Sequence, residues 1–343
     1  MRKIYGSVLF SSLLIFSAIG CTPEKENNDS LSLLLLGGLA SSANSTSSLG
    51  CQNKTLNWTI QTPAETNTWS AVTYGDKFVA IATNGTTPSM SSPDGITWTG
   101  HTTSTVGSFV SISYGNGIYV TTSPSATVKV MSSPDGATWT DRNSANNNQW
   151  RGVTYGNGQF VAVAGNGTNQ VMTSPDGITW TGRTGVETNT WISIAYGAGK
   201  FAAVAFGGTN RIMTSPDGIT WTAQTAPVGN TWISVTYGNG QFVAVASGAV
   251  SNQLMTSPDG ITWTAQTATE ANTWSSITYG NGLFVAVSSN GTNRIMTSQD
   301  GINWKAQVTP EQKSWSAITF GNNRFVAVSS DAGTSKVMTA SCD

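Results

Sequence analysis

Residues 232–266 read WISVTYGNGQFVAVASGAVSNQLMTSPDGITWTAQ, and the fold follows from how this stretch divides. Trp232 to Tyr237 alternates and stops at Gly238-Asn239-Gly240, a two-residue hairpin signal of the Asn-Gly kind. Gln241 to Ala246 is apolar at most positions, as expected of a strand buried on both faces. Leu254-Met255-Thr256 leads into a Ser-Pro-Asp-Gly turn, and Ile261 to Gln266 reads as a fourth strand. Four short strands in ~40 residues, with no helical periodicity, is the unit of a β-propeller blade. Such a sheet cannot bury its faces alone, so neighbours must stack around a ring.

The stretch repeats along the chain. Its turn aspartate recurs as Asp94, Asp135, Asp176, Asp217, Asp259 and Asp300, at spacings of 41, 41, 41, 42 and 41 residues. A second landmark, an aromatic followed five residues later by Tyr-Gly or Phe-Gly, begins at Trp69, Phe109, Trp150, Trp191, Trp232, Trp274 and Trp315. The turn occurs six times and the landmark seven, so one blade lacks its own fourth strand. The last repeat ends at Val337 to Asp343 with no fourth strand, while Leu56-Asn57-Trp58-Thr59 reads as a fourth strand with no preceding three. The expectation is an all-β, seven-bladed propeller over 51–343, four antiparallel strands per blade, the last blade closed by the N-terminal strand. That closure makes Cys51 and Cys342 neighbours, and a disulfide is expected between them. The chain-entropy model assigns a loop of this length about 5–6 kcal/mol, an upper bound because native strain reduces it.

Composition narrows the function. Charged residues make up 10% of the chain, against about 25% in ordinary soluble domains. A formal charge of −1 excludes the basic footprint of a nucleic-acid binder. The single histidine, His101, argues against a histidine-based catalytic or zinc site. No metal or cofactor is expected, and the chain is read as a monomer.

The N-terminus carries an address. Arg2-Lys3, an apolar run from Val8 to Ile19 and then Gly20-Cys21 follow the plan of a secretory signal. Ala18-Ile19-Gly20-Cys21 resembles the lipobox of bacterial lipoproteins, departing from its usual form at the first position. The resemblance implies a signal peptide over 1–20, lipid on Cys21 and a membrane anchor through it. Residues 21–50, with a Ser/Asn run from Ser41 to Ser48, read as a flexible tether. Its Leu31 to Leu36 run is far short of the ~20 residues a membrane span needs. Thr22 stands where an aspartate would retain the enteric lipoproteins it resembles at the inner membrane. The expected location is the cell envelope, at the outer membrane, on either its surface or its periplasmic face.

Ser174-Pro175-Asp176-Gly177-Ile178-Thr179-Trp180 resembles the Asp-box, or BNR repeat, of sialidases and several non-enzymatic propellers. The resemblance covers about residues 55–343 and lacks the residue between Asp and Gly in all six copies. It implies a structural turn between strands three and four, on the face opposite an active site. The chemistry agrees: the aspartate accepts turn amides, the glycine supplies a positive φ and the tryptophan a large apolar surface. The carboxylates stand on separate loops, so they do not form a calcium site. The family's arginine triad, Tyr–Glu pair and acid find no counterpart here. The residues that break register are His101, Asp141, Arg142, Arg151, Arg183 and Asp331. Of these, Arg142 and Arg183 share a solvated strand-four position with His101 and several glutamines, which is not an arginine cluster.

The opposite face collects the loops from strand two to three and from strand four to the next blade. Glu65, Glu187, Glu270 and Glu311 precede Trp69, Trp191, Trp274 and Trp315 by four residues, and most repeats place an asparagine two before the aromatic. With Trp150 and Trp232, these residues make a ring of carboxylates, amides and indoles suited to sugars. The alternative use for each is packing between blades or solvating a loop. The function expected is a non-catalytic module that binds glycans or protein partners. A diverged sialidase-like glycoside hydrolase is the alternative, and a scaffold a third possibility.

Overall fold

The computed structural model describes residues 50–51, 55–248, 252–334 and 336–342. The signal, Cys21, the tether and the leucine run fall outside them. The described residues form 28 strands and no helix, arranged as seven four-stranded antiparallel sheets. Blades 1 to 6 cover residues 69–101, 111–142, 150–183, 191–224, 231–266 and 274–307. Blade 7 draws on both ends of the chain: Trp315–Gly321, Arg324–Ser329 and Val337–Ser341 are joined by Thr59–Gln61. In that closing pair Thr59 stands opposite Thr339, Ile60 opposite Met338 and Gln61 opposite Val337.

The closing strand starts at Thr59 rather than Leu56, because Leu56 is drawn into the core between blades 6 and 7 with Leu283, Val285 and Trp315. Beside it Cys51 and Cys342 form a disulfide, their Cα atoms 4.9 Å apart and both side chains buried. The other fourth strands are also shorter than the sequence suggests. In blade 5 the strand is Thr264–Gln266, because the N–H groups of Ile261 and Thr262 turn to Asp259 Oδ1 at 2.8 and 3.0 Å.

The same aspartate turn stands at Asp94, Asp135, Asp176, Asp217 and Asp300. The serine two residues earlier donates to the same oxygen, and the glycine that follows sits at φ between 67° and 76°. Donors to the ionised form lower a carboxyl pKa. At Asp94 the Thr97 N–H is the main cause; at Asp135 and Asp300 burial opposes, but the turn donors prevail and bring both to about 2.

Strand two of each blade is buried on both sides, and its side chains belong to two cores. Val161 and Val163 of blade 3, for example, pack with Trp191, Phe201 and Met213 of blade 4. The hairpin before it is of the type I′ kind, with Asn239 and Gly240 at φ 46° and 78°. Each first strand ends in Tyr-Gly or Phe-Gly, which locks one blade to the next. A Cβ on Gly115 would fall inside the Tyr155 ring, and the same overlap recurs at Gly238 against Tyr279 and closes the circle at Gly321 against Tyr74.

The first strand is the inner edge of every sheet, and an edge leaves backbone groups unpaired. Serines of the preceding blade meet part of that need. Ser111, Ser193, Ser234 and Ser276 hydroxyls accept the N–H groups of Val153, Val235, Ile277 and Ile318 at 3.1–3.3 Å.

Candidate functional site

The tryptophans expected to stack on sugars do not reach solvent. Trp69, Trp150, Trp191, Trp232, Trp274 and Trp315 are all 0% exposed. Each stands at the start of its first strand, opening it in five blades and following Thr231 in blade 5, with its ring turned into the packing between blades. The Nε1 of Trp69, Trp150, Trp191 and Trp274 donates to the carbonyl four residues earlier at 3.1–3.3 Å. A sugar needs an open ring face, so the indoles are withdrawn as ligand-binding residues.

The glutamates are held by their own loops. Glu187 Oε2 accepts the Asn210 N–H and Glu270 Oε2 the Asn293 N–H, each at 3.1 Å, while the other oxygen takes the asparagine amide. The Asn210 amide is the main cause of the lowered Glu187 pKa; at Glu270 burial opposes but the Asn293 donors prevail. Glu311 pairs with Lys313 at 3.7 Å, and exposed Glu65 contributes its backbone carbonyl to Trp69. Glu187, Glu270 and Glu311 are thus held by neighbours in their own loops, and the four glutamates stand on the loops of four different blades. The loop asparagines do the same work: Asn67, Asn148, Asn230 and Asn272 donate to carbonyls of Thr87, Asn169, Asn252 and Asn293 at 2.7–2.8 Å.

Most residues that break register are also accounted for. His101, Arg142 and Arg183 lie on outermost strands and bond the hydroxyls of Ser91, Ser132 and Thr173, as Gln224 and Gln266 bond Thr214 and Thr256. Asp141 takes the hydroxyls of Ser104 and Thr105 from the neighbouring blade. Asp331 accepts the Ser314 N–H. Arg151 is different.

Arg151 lines a cavity of about 480 Å³ on the propeller axis, at the end where the loops from strand two to three and from strand four to one gather. A β-bulge follows the opening aromatic in six blades, shifting register between Trp150 and Gly152 and at the equivalent places. A bulge re-aims the extra residue, here towards the cavity mouth. That position is held by Ser275, Ser316 and Ser70 in blades 6, 7 and 1, and by Arg151, Ile192 and Ile233 in blades 3, 4 and 5. Below the mouth, Val72, Ile112, Val153, Ile194 and Ile318 wall the channel.

The three serines are clamps. Ser70 Oγ reaches the carbonyls of Ile81 in its own blade (3.1 Å) and Phe109 in the next (2.6 Å). Ser316 does the same to Val328 (3.0 Å) and Trp69 (2.7 Å), and Ser275 to Val287 and Trp315. Arg151 makes no such clamp. Its stem crosses Gly165, where a Cβ would come within 2.8 Å of its Nε and 3.3 Å of Thr190 Cγ2. Its Nη2 contacts Gln149 Oε1 at 3.4 Å, while its buried Nε has no partner.

One blade on stands Phe206, which sequence reading missed, directly after strand Lys200–Ala205. Phe206 is 50% exposed, and its N–H donates to the Thr190 carbonyl at 2.8 Å. The corresponding bond is made by Thr83, Gly165, Ser289 and Ser330 in other blades, so a phenylalanine stands where others have small residues. The repeat itself carries the signal, because Phe201 to Arg211 aligns without a gap with Phe160 to Gln170 and Phe284 to Arg294.

No protein-family model and no curated protein matches the chain. Solved structures share its fold at low identity. A virginiamycin B lyase from Staphylococcus aureus superposes with a TM-score of 0.72 at 15% identity, covering 84% of this chain and 99% of that one. A catalytically inactive histidine-to-alanine form of that lyase, with quinupristin, gives 0.73 at 13% identity, covering 84% and 99%. YCF48 bound to a D1 peptide gives 0.63 at 16% identity, covering 83% and 96%.

Proposed function

We propose that this chain is an exported, lipid-anchored envelope protein whose propeller is a non-catalytic module that binds a protein segment at the mouth of its central channel. One observation carries the reading: repetition fails together at Arg151, Ile192 and Ile233 on one side of one cavity, with half-exposed Phe206 bonded to the residue before Trp191, while the aspartate turns on the other face keep theirs. Departures that serve no structural bond mark the surface under a different demand. Peptide recognition is favoured over glycans because the indoles are buried and Arg and aromatic residues dominate binding hot spots. The peptide-bound YCF48 structure uses the same fold and is consistent with this use.

Hydrolysis of glycosides needs two carboxyls facing one bond, and no carboxylate lines this cavity among the described residues. The lyase that shares the fold is catalytically inactive when one histidine becomes alanine. Here His101 is held on an outermost strand by Ser91 at 2.8 Å, away from the channel. Both points support a binding role.

The test is photo-crosslinking in cells of the native host, with a benzophenone amino acid at position 206 and, as a control, at exposed Ile219 on the aspartate-turn face. Defined protein adducts at 206 and none at 219 are expected; adducts only at 219 would place the partner on the other face and reject the proposal. Loss of radiolabelled palmitate in the Cys21→Ser variant would test the anchor, and equal labelling of the variant would reject it.

A further inference from the structure

We infer that the rim between blades 3 and 5 is an anchor site for a peptide carboxylate next to an apolar side chain, with Arg151 taking the carboxylate and Phe206, Ile192 and Ile233 the apolar group. This deepens the binding-module reading and rests on it.

Charge comes first. Arg151 is the single charged side chain lining the cavity among the described residues, and no carboxylate lines it to neutralise the guanidinium. Its Nε–H is buried against Gly165 without a partner, so the guanidinium is not tied to the protein through that atom. An arginine fork binds a carboxylate through two parallel N–H bonds, and with Nε buried the two Nη groups are the suitable pair.

Shape comes second. Gly165 leaves the space the arginine stem occupies, and Thr190, whose methyl lies beside Gly165, accepts the Phe206 N–H through its carbonyl. Phe206 is half exposed, and Ile192 and Ile233 are partly buried at the positions where blades 6, 7 and 1 carry clamping serines. Cation and apolar groups thus share one side of the mouth. A cavity of about 480 Å³ admits one or two side chains, not a folded domain. The ligand is therefore a protruding segment of a partner, with Glu, Asp or a free C-terminus beside an apolar residue.

The test uses the full-length chain labelled with ¹⁵N-arginine, titrated with the acetylated, amidated peptide Ala-Leu-Glu-Ala. Controls are Ala-Leu-Gln-Ala and Ala-Ser-Glu-Ala, and the Arg151 Nε–H signal is assigned by its loss in Arg151→Ser. The expected result is a saturable shift of that signal by the Leu-Glu peptide. Affinity should fall about ten-fold or more for the Gln peptide, as a lost charge-assisted pair requires. It should fall several-fold for the Ser peptide and in Phe206→Ala. Arg151→Ser installs the residue that three blades already carry, so the variant keeps the fold, and its melting curve checks this. Equal affinity for the Glu and Gln peptides, or no shift of the Arg151 signal, would overturn the inference. If crosslinking at 206 still found a partner, the binding module would stand without this chemistry; peptide binding with no cellular adduct would instead remove the protein-partner reading.

Discussion

The two sides of the channel mouth are built from the same strand and end in different chemistry. In blades 6, 7 and 1 the bulged residue is a serine, and its hydroxyl joins its own second strand to the first strand of the next blade. In blades 3, 4 and 5 the same position holds Arg151, Ile192 and Ile233, which cannot bridge those carbonyls from a short hydroxyl. One arc invests the position in holding the ring; the other gives up that contact and presents a cation beside apolar surface. In a repeat protein, surface that departs from its repeats without a structural return is where function is to be sought.

The largest test of the structural side concerns ring closure, which passes through blade 7 in the serine arc. The Cys51→Ala, Cys342→Ala double variant should lose up to ~5 kcal/mol in denaturant unfolding. A loss below ~1 kcal/mol would mean that Thr59–Gln61 pairing alone closes the ring. Next is Gly238→Ala. Its Cβ would enter the Tyr279 ring, so a loss of about 3 kcal/mol is expected by thermal denaturation, with the binding arc's peptide affinity reduced only as far as the blade shifts. An unchanged melting temperature would show that the rings can step aside and that the Tyr-Gly lock is dispensable.

Smaller effects sharpen the contrast between arcs. Ser316→Ile places the residue of blades 4 and 5 in the serine arc and should cost ~1 kcal/mol while leaving peptide affinity unchanged. The smallest effect is acid sensitivity. The six turn carboxyls titrate below their ordinary range when folded, so their stabilisation is complete above about pH 4. It is lost as pH falls through the native values, near 2 for Asp135 and Asp300. Melting temperatures across pH 2 to 5 check this window, and Asp259→Asn should flatten the slope slightly.

Much of the fold was legible because its determinants are local and repeated. The Asn-Gly hairpin, the aspartate turn and the unbroken apolar run each specify a strand boundary within a few residues, and the six-against-seven mismatch exposes the closure. Boundaries failed where a turn captured strand residues, as Asp259 captures Ile261 and Thr262. The site was less legible. Whether Trp191 faces solvent depends on the blade 3 residues Val161 and Val163, which lie distant in sequence and cover it. Arg151 stood out as a break in register, but its place at the mouth depends on a bulge that no residue pattern announces. Phe206 aligns without a gap with Gly165 and Ser289, so its departure was legible in the repeat, but its exposure and its bond to Thr190 come from the fold.

The most direct measurement is the pair of consequences expected from Arg151→Ser: its melting curve and its affinity for the Leu-Glu peptide, read on the same preparation. If the arcs divide structure from binding, the new serine can clamp Val163 and Trp191 as Ser70 clamps Ile81 and Phe109, and stability should rise by ~1 kcal/mol while binding falls about ten-fold or more. A variant that melts lower and binds the peptide as well as the parent would contradict the account, since Arg151 would then be a structural residue and the mouth would have no charged anchor.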